Sequence, residues 1–228
     1  MNTMIIIARH GNTFRSDEIP RRVGKYTDLP LVETAKGTKI GSYLSEHDMI
    51  PDAVFAAPLK RTMETASLAI AAMGGNIPLI PVDDFTEVDY GPDENQTEEA
   101  VYERLGNYFI KETGSRGRAF SRDQILEQGK MIVQQWDRDA VVPPGWKVDT
   151  GSIINSWINF SGMILKNYAG KKVLVVSSNG IIRFAPYITG DFHGFAQEHA
   201  IKVATGALCI FEQELGHNWE CKAWNVKP

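Results

Sequence analysis

The chain has 228 residues, of which 43% are hydrophobic and 23% are charged, and its formal net charge is -4. This length can bury a sizeable core, and the balance of 24 Lys plus Arg against 28 Asp plus Glu excludes the overall basic surface of a nucleic-acid-binding or anionic-membrane-binding protein. The apolar runs are too short to span a bilayer and the first one begins at Met4, so we expect a cytoplasmic protein without membrane partners.

Apolar periodicity predicts an α/β fold. The predicted strands are residues 4–8, 53–56, 77–82, 172–177, 201–213 and 219–224. Helices are predicted over residues 34–48 and 58–73, three times between 97 and 168, and after Asn179, where Pro186 divides the last one. We therefore expect a three-layer α/β/α arrangement around a mostly parallel six-stranded sheet. Residues 1–228 form one predicted domain with a helical insertion at about 88–150 that roofs the site.

The first strand ends in a cation, an imidazole and a glycine: Arg9, His10 and Gly11. In open α/β sheets the carboxyl ends of the strands are where ligands bind, so these side chains lie where chemistry is expected. A neutral imidazole can attack phosphorus through one nitrogen while a hydrogen bond holds the other. An adjacent guanidinium can grip phosphoryl oxygens with two parallel hydrogen bonds.

The run Arg9-His10-Gly11-Asn12-Thr13 resembles the signature of the histidine phosphatase superfamily, which includes the phosphoglycerate mutases. The resemblance implies a phosphoglycerate mutase-like fold, a phosphohistidine at His10 and phosphate binding by Arg9. The loop that follows resembles the family's second block at residues 24–31. Ser16 stands where the family usually has an asparagine, and its hydroxyl can still donate one hydrogen bond. Arg15, Arg21 and Arg22 of this loop either line the phosphate pocket or are solvated.

Two further blocks carry the resemblance. Residues 57–66 resemble the block that supplies a second phosphate-binding arginine, which implies that role for Arg61, whereas Lys60 is expected to be solvated. Residues 87–91 resemble the block whose glutamate protonates the leaving alkoxide and then activates water, which implies that role for Glu87. A general acid of this kind needs a pKa raised toward neutrality, which burial away from water or nearby negative charge can provide. Asp89 is the alternative candidate for the acid.

The family pattern breaks after the strand 172–177. Relatives carry a second histidine there, and this chain has Ser178 followed by Asn179. One interpretation is that the Ser178 hydroxyl, the Asn179 amide and the backbone N–H groups bind phosphate in its place. The other is that Ser178 only caps the following helix. Losing one transition-state donor lowers turnover by about 10²–10³, so a slowed enzyme stays compatible with this departure.

The remaining candidates are fewer. Trp146 and the basic run Arg116-Gly117-Arg118 are candidates for substrate contacts. The two cysteines, Cys209 and Cys221, lie opposite each other if the last two strands pair in one particular register, and we expect reduced thiols there rather than a disulfide. No spacing typical of a metal site surrounds them, and the expected mechanism uses no metal and no cofactor.

Three functions stay open at this point. The preferred one is hydrolysis of a small phosphorylated metabolite through a phosphohistidine at His10. The first alternative is a phosphoglycerate mutase, which moves the phosphoryl group between hydroxyls. The second is a phosphate-binding pseudoenzyme without turnover, for which Ser178 is the main support.

Overall fold

A computed structural model of the protein describes residues 2–113 and 119–228. The chain forms two compact units. The first comprises Met1–Arg15, Asp28–Glu87 and Asp149–Pro228, and the second comprises Ser16–Thr27 and Val88–Val148. The second unit contains most of the predicted insertion. That the chain is one domain whose insertion roofs the site stays a prediction.

One six-stranded sheet organises the first unit. Its strands are β1 (Thr3–Arg9), β2 (Ala53–Ala56), β3 (Leu79–Pro81), β4 (Lys172–Ser177), β5 (Leu208–Gln213) and β6 (Trp219–Val226). They are arranged in the order β3-β2-β4-β1-β5-β6. The pairs β3–β2, β2–β4 and β4–β1 are parallel, whereas β5 runs antiparallel to both β1 and β6. The predicted six-stranded α/β fold is confirmed.

Seven α-helices accompany the sheet in the described residues: α1 (Ala35–Glu46), α2 (Lys60–Ala72), α3 (Glu98–Glu112), α4 (Arg122–Asp139), α5 (Thr150–Asn167), α6 (Asn179–Ile182) and α7 (Phe192–Glu198). Short 3-10 helices lie at Asp83–Phe85, Gly91–Asp93 and Ala185–Thr189. Pro186 lies in the first turn of the last of these and separates it from α6, as predicted. Among the helices that the structure describes, none is long and apolar enough to cross a bilayer.

Side-chain alternation along the strands explains which helices cover which face. Ile6 and Ala8 of β1 and Leu174 and Val176 of β4 are fully buried in one cluster with residues of α1 and α2. Successive residues of a strand point to opposite faces. On the other face, Phe55 of β2 packs edge-on against Phe160 of α5, with ring centroids 5.1 Å apart. Helices therefore cover both faces of the sheet, which makes the three predicted layers.

Three predicted boundaries are wrong. Strand β5 begins at Leu208 rather than at residue 201, because the backbone groups of Val203 and Ala204 bond to side chains instead of a strand backbone. Strand β3 covers only Leu79–Pro81 instead of 77–82, since Pro78 has no N–H to donate to the ladder at its start and a 3-10 helix begins at Asp83 after its end. Helix α2 begins at Lys60 and not at Pro58, because Leu59 before it is extended, with φ -92° and ψ 145°.

The register of the last two strands also differs from the one that would place Cys209 opposite Cys221. Strand β6 pairs with β5 so that Cys221 lies opposite Phe211, and a register shift separates this pair from Ile210. Cys221 is therefore not the partner of Cys209. Both thiols are free, and burial raises the pKa of the Cys221 thiol to about 11.

In the second unit, α3 and α4 pack together through Val101, Leu105 and Val133. Helix α4 begins with a capping box, in which the Ser121 hydroxyl accepts from the Gln124 N–H and the Gln124 side chain accepts from the Ser121 N–H. The predicted contact loop Arg116-Gly117-Arg118 lies outside the described residues.

Candidate active site

His10 and Ser178 occupy matching positions just beyond the ends of two neighbouring parallel strands. Arg9 pairs with Ser177 in the register of β1 with β4, and the His10 N–H donates to the Ser177 carbonyl over 3.1 Å. Ile6, Ala8, Leu174 and Val176 face α1 and α2. Alternation along each strand brings His10 and Ser178 onto that same face. The first-strand histidine and the serine at the family's second position therefore lie side by side.

The ring of His10 is held in one orientation. Its Nδ1 lies 2.7 Å from the Gly11 carbonyl oxygen, and only 7% of the residue is exposed. A carbonyl can only accept, so Nδ1 carries a proton and donates it. The Gly11 N–H in turn donates to the Thr65 hydroxyl of α2 over 3.1 Å. In the neutral ring this leaves the lone pair on Nε2, the nitrogen that can attack an electrophile.

The surroundings of His10 keep its ring neutral. Burial is the largest effect that lowers its pKa well below the ordinary value of 6.5, and the positive charges of Arg61, Arg9 and Lys36 lower the pKa further. The hydrogen bond to Gly11 acts in the opposite direction and only partly offsets them. A histidine in this setting is uncharged at neutral pH and available as a nucleophile.

Helix α2 supplies the second arginine. Arg61 is in its first turn and is fully buried, whereas its neighbour Lys60 is exposed, as expected. Leu59 provides no side-chain cap for this helix, and the Lys60 N–H is instead bound by the Asp28 carboxylate over 2.7 Å. Asp28 of the second family block therefore caps the helix that carries Arg61.

Arg9 and Asn179 are both anchored to Val203. An Arg9 Nη1 donates to the Val203 carbonyl over 2.5 Å, and the Val203 N–H donates to the Asn179 Oδ1 over 2.8 Å. Two of the predicted phosphate ligands therefore also hold the segment that precedes β5. For Asn179 this use occupies the amide oxygen, which leaves only its NH₂ group to meet an anion.

Ser178 does not act as a helix cap. It stands at the N-cap position of α6, yet its side chain accepts no capping hydrogen bond. Its hydroxyl oxygen is fully buried and has no hydrogen-bond partner among the described residues. The interpretation of Ser178 as a simple cap is therefore wrong, and a buried hydroxyl is left beside His10.

Glu87 is buried next to the same corner, with 5% of its surface exposed. Its Oε2 accepts from the Gly180 N–H over 3.4 Å, two residues after Ser178. The alternative acid, Asp89, belongs to the second unit and uses its Oδ1 to accept from the Gly91 N–H over 2.7 Å. The first unit thus brings Arg9, His10, Arg61, Glu87, Ser178 and Asn179 to one end of its sheet.

Other candidates have structural contacts or lie elsewhere. Ser16 is exposed in a turn of the second unit, so its role as a phosphate ligand stays a prediction. Arg22 pairs with Glu98 over 2.5 Å, and its guanidinium lies 4.8 Å from the centroid of the Trp146 ring. Trp146 itself is buried and donates to Asp93 over 2.7 Å. Arg22 and Trp146 therefore stabilise the second unit, and Arg15 and Arg21 are exposed.

One cation was missed by sequence reasoning. Lys36 of α1 lies near enough to His10 to lower its pKa, and its Nζ donates to the Asn12 Oδ1 over 2.8 Å. In the sequence it reads as an ordinary exposed lysine of an amphipathic helix, and no local signal distinguishes it from Lys39. The described residues contain no group of His, Cys, Asp or Glu placed to hold a metal ion.

A neutral histidine beside the fully buried guanidinium of Arg61, at the end of an α/β sheet, is typical of proteins that can bind and attack an anionic group. A family profile identifies the family of this protein, because it matches residues 5–128, more than half of the chain. The protein belongs to the histidine phosphatase superfamily (branch 1). The family expectation is confirmed.

Individual relatives agree with this family. A stretch of 94 residues is 30% identical to the Bacillus subtilis protein described as uncharacterized phosphatase PhoE, and it covers 40% of this chain and 46% of that protein. The match thus spans about half the length of that relative. The fold is similar to that of a phosphoglycerate mutase from Bacillus anthracis, with a TM-score of 0.71 at 18% identity over 99% of this chain and 93% of the other. A phosphoserine phosphatase from Entamoeba histolytica, in complex with 3-phosphoglyceric acid, has a TM-score of 0.66 at 13% identity over 99% and 98%.

Proposed function

We propose that the protein hydrolyses phosphomonoesters of small metabolites through a phosphohistidine at His10. The observation that carries the proposal is the hydrogen bond from Nδ1 of His10 to Gly11, which leaves Nε2 as the nucleophile. The lowered pKa of His10 supports it, since the ring need not lose a proton before it attacks.

In the first step, Nε2 of His10 attacks phosphorus and forms a nitrogen–phosphorus bond. The bond from phosphorus to the ester oxygen breaks, and its electron pair goes to that oxygen. The oxygen takes a proton from the carboxyl group of Glu87 and leaves as an alcohol. Arg61 and Arg9 bind the phosphoryl oxygens, where negative charge must be stabilised in the transition state.

In the second step, the Glu87 carboxylate removes a proton from a water molecule. The water oxygen attacks phosphorus, and the electron pair of the nitrogen–phosphorus bond returns to Nε2. Phosphate leaves and Glu87 is protonated again, so both residues are ready for another cycle. In this scheme the positive charge at the phosphoryl group comes from guanidinium groups.

The hydroxyl of Ser178 is the proposed donor to the phosphoryl group where relatives use a histidine. Its full burial without a partner among the residues that the structure describes supports this role, because a buried hydroxyl without a partner is costly and an anion would satisfy it. The NH₂ group of Asn179 is the second proposed donor at this corner. A hydroxyl cannot carry the positive charge of an imidazolium, so we expect slower turnover than in a two-histidine site.

The test is phosphate release from a panel of phosphorylated metabolites by the wild type and by His10→Ala. We expect turnover that vanishes in His10→Ala. Turnover that survives this change would refute the mechanism. Phosphate binding with no turnover and no phosphohistidine would favour the pseudoenzyme, the reading that Ser178 keeps open. Supplying 3-phosphoglycerate distinguishes a mutase from a phosphatase, because a mutase would give 2-phosphoglycerate and a phosphatase would give free phosphate.

A further inference from the structure

Lys36, Asn12 and Thr205 form a closed triangle of hydrogen bonds. The Lys36 Nζ donates to the Asn12 Oδ1 over 2.8 Å and to the Thr205 Oγ1 over 2.6 Å. The Thr205 hydroxyl donates to the same Asn12 oxygen over 3.0 Å. The three residues come from α1, from the loop after β1 and from the segment before β5. One ammonium group therefore joins three separate parts of the first unit.

Two corners of this triangle lie within two residues of the backbone at His10. Asn12 is two residues after His10 in the chain. Next to Thr205, the Gly206 N–H points at the carbonyl oxygens of Arg9 and His10, at 3.0 and 3.3 Å. Gly206 has φ +76°, and a Cβ added there would lie 2.9 Å from Cδ of Lys36. The aliphatic stem of Lys36 thus packs on the backbone that holds His10 from the side of β5.

Among the residues that the structure describes, the Lys36 ammonium forms no ion pair with a carboxylate. Both hydrogen-bond acceptors of its ammonium are neutral oxygens. The nearby carboxylate of Glu33 accepts instead from the backbone N–H groups of Lys36 and Asn12. Burial lowers the pKa of Lys36, and Arg9, Lys227 and Lys39 lower it further, while Glu33 raises it. The positive charge therefore acts on the neighbouring site.

We propose that Lys36 is a positioning residue for the phosphoryl transfer at His10, and that it fixes the loop 9–12 against the segment 203–206 through Asn12 and Thr205. The inference rests on the proposed function and adds a residue that does not touch the substrate. Displacing a reactive group by about 1 Å can cost roughly 100-fold in rate, so losing the contacts that hold His10 in position should lower kcat.

The central variant is Lys36→Met, which keeps an apolar stem and removes the ammonium. We expect kcat to fall by about 10- to 100-fold with little change in KM, because the variant disturbs the geometry of the attack and not substrate binding. Lys39→Met is the matched control, since it removes an exposed lysine of the same helix and is expected to stay at the wild-type rate.

Thr205 tests the triangle from its other side. Thr205→Val removes the hydroxyl at nearly constant shape, and Thr205→Ser retains it. We expect Thr205→Val to lower kcat and Thr205→Ser to restore it. The double variant Lys36→Met with Thr205→Val should have the same kcat as Lys36→Met alone, because residues of one network act non-additively. Fully additive losses would contradict the triangle.

A readout that does not need activity is the protonation of the His10 ring, followed by NMR. The cations that face this ring are Arg61, Arg9 and Lys36. Lys36→Met should raise the pKa of His10 and move the acid limb of kcat/KM to higher pH, whereas Thr205→Val keeps the charge and should shift the pKa less. An unchanged pKa of His10 together with wild-type kcat in Lys36→Met, or an equal loss in Lys39→Met, would overturn the proposal.

The two proposals fail in different ways. If the wild type shows no hydrolysis that depends on His10, the proposed function fails, and the NMR titration still decides whether Lys36 acts on His10. If hydrolysis depends on His10 but Lys36→Met behaves like Lys39→Met, only the role of Lys36 fails.

Discussion

The carbonyl oxygen of Gly11 lies 2.7 Å from Nδ1 of the adjacent His10, and this contact determines which nitrogen of the ring is free. The same glycine donates its N–H to Thr65 of α2, the helix that carries Arg61. Gly11 therefore fixes both the proposed nucleophile and the helix that carries Arg61, the proposed phosphate-binding cation. A displacement of α2 would therefore move Gly11 and, through its carbonyl oxygen, the His10 ring.

Replacing Arg61 by Met should lower kcat/KM by about 10²–10³, the usual cost of losing one group that stabilises transition-state charge. The pKa of His10 should rise as well, since Arg61 is the largest electrostatic cause of its depression after burial. Phosphate-release kinetics and an NMR titration of His10 measure the two effects. Lys60→Met, one residue earlier and exposed, should change neither, and equal behaviour of the two variants would contradict the role of Arg61.

Ser178→Ala separates a phosphate contact from a structural role. The hydroxyl makes no hydrogen bond in the described part of the chain, so its removal should leave the free energy of unfolding unchanged or raise it by about 1–3 kcal/mol, the cost of an unsatisfied buried group. Turnover should fall. Denaturant unfolding measures the free energy of unfolding, and steady-state kinetics measure turnover. A loss of about 1 kcal/mol in stability with unchanged turnover would indicate that the hydroxyl has only a structural role.

Asp28→Ala removes the side-chain cap of α2. A lost cap costs about 0.5–2 kcal/mol, and we expect the lower part of this range because Asp28 is exposed. The first turn of α2 carries Arg61, so phosphate affinity should weaken too. Asp28→Asn keeps the Oδ1 acceptor and should retain most of both properties. Thermal unfolding that is the same for the alanine and asparagine variants would exclude the cap.

His10 should also make stability depend on pH. Its pKa in the folded protein is well below 6.5, so the unfolded chain takes up a proton first as the pH falls. The contribution of the neutral ring is fully present above pH 6.5 and is lost as the pH falls from there toward the folded pKa. His10→Asn should flatten this part of the profile. Unfolding free energies of both proteins between about pH 5 and 7.5 check it, a range above most carboxyl pKa values.

The sequence predicted the parts of the site that depend on local pattern. The apolar run ending at Arg9 and His10 marks a strand end, and the buried face of residues 59–73 places Arg61 in the first turn of a helix. Both signals lie within a few residues of the side chain concerned. Such patterns need no knowledge of the distant chain, which is why they were reliable.

The parts that failed depend on partners distant in the sequence. Ile201 and Val203 look like the start of a strand, yet Val203 bonds to Arg9 and Asn179, and Ala204 to Asn225. The proposed role of Lys36 depends on its hydrogen bonds to Asn12 and Thr205. The local sequence pattern of either segment cannot predict these hydrogen bonds, because their partner residues belong to other elements.

The most direct test of the account is to trap the phosphoryl group on the protein. The wild type and His10→Ala are mixed with para-nitrophenyl phosphate, quenched in alkali and digested, and the peptide containing residue 10 is analysed by mass spectrometry. The account predicts a phosphoryl group on His10 that is labile in acid, appears at the rate of the first turnover, and is absent from the variant. Turnover of the ester without any phosphorylation of His10 would contradict it.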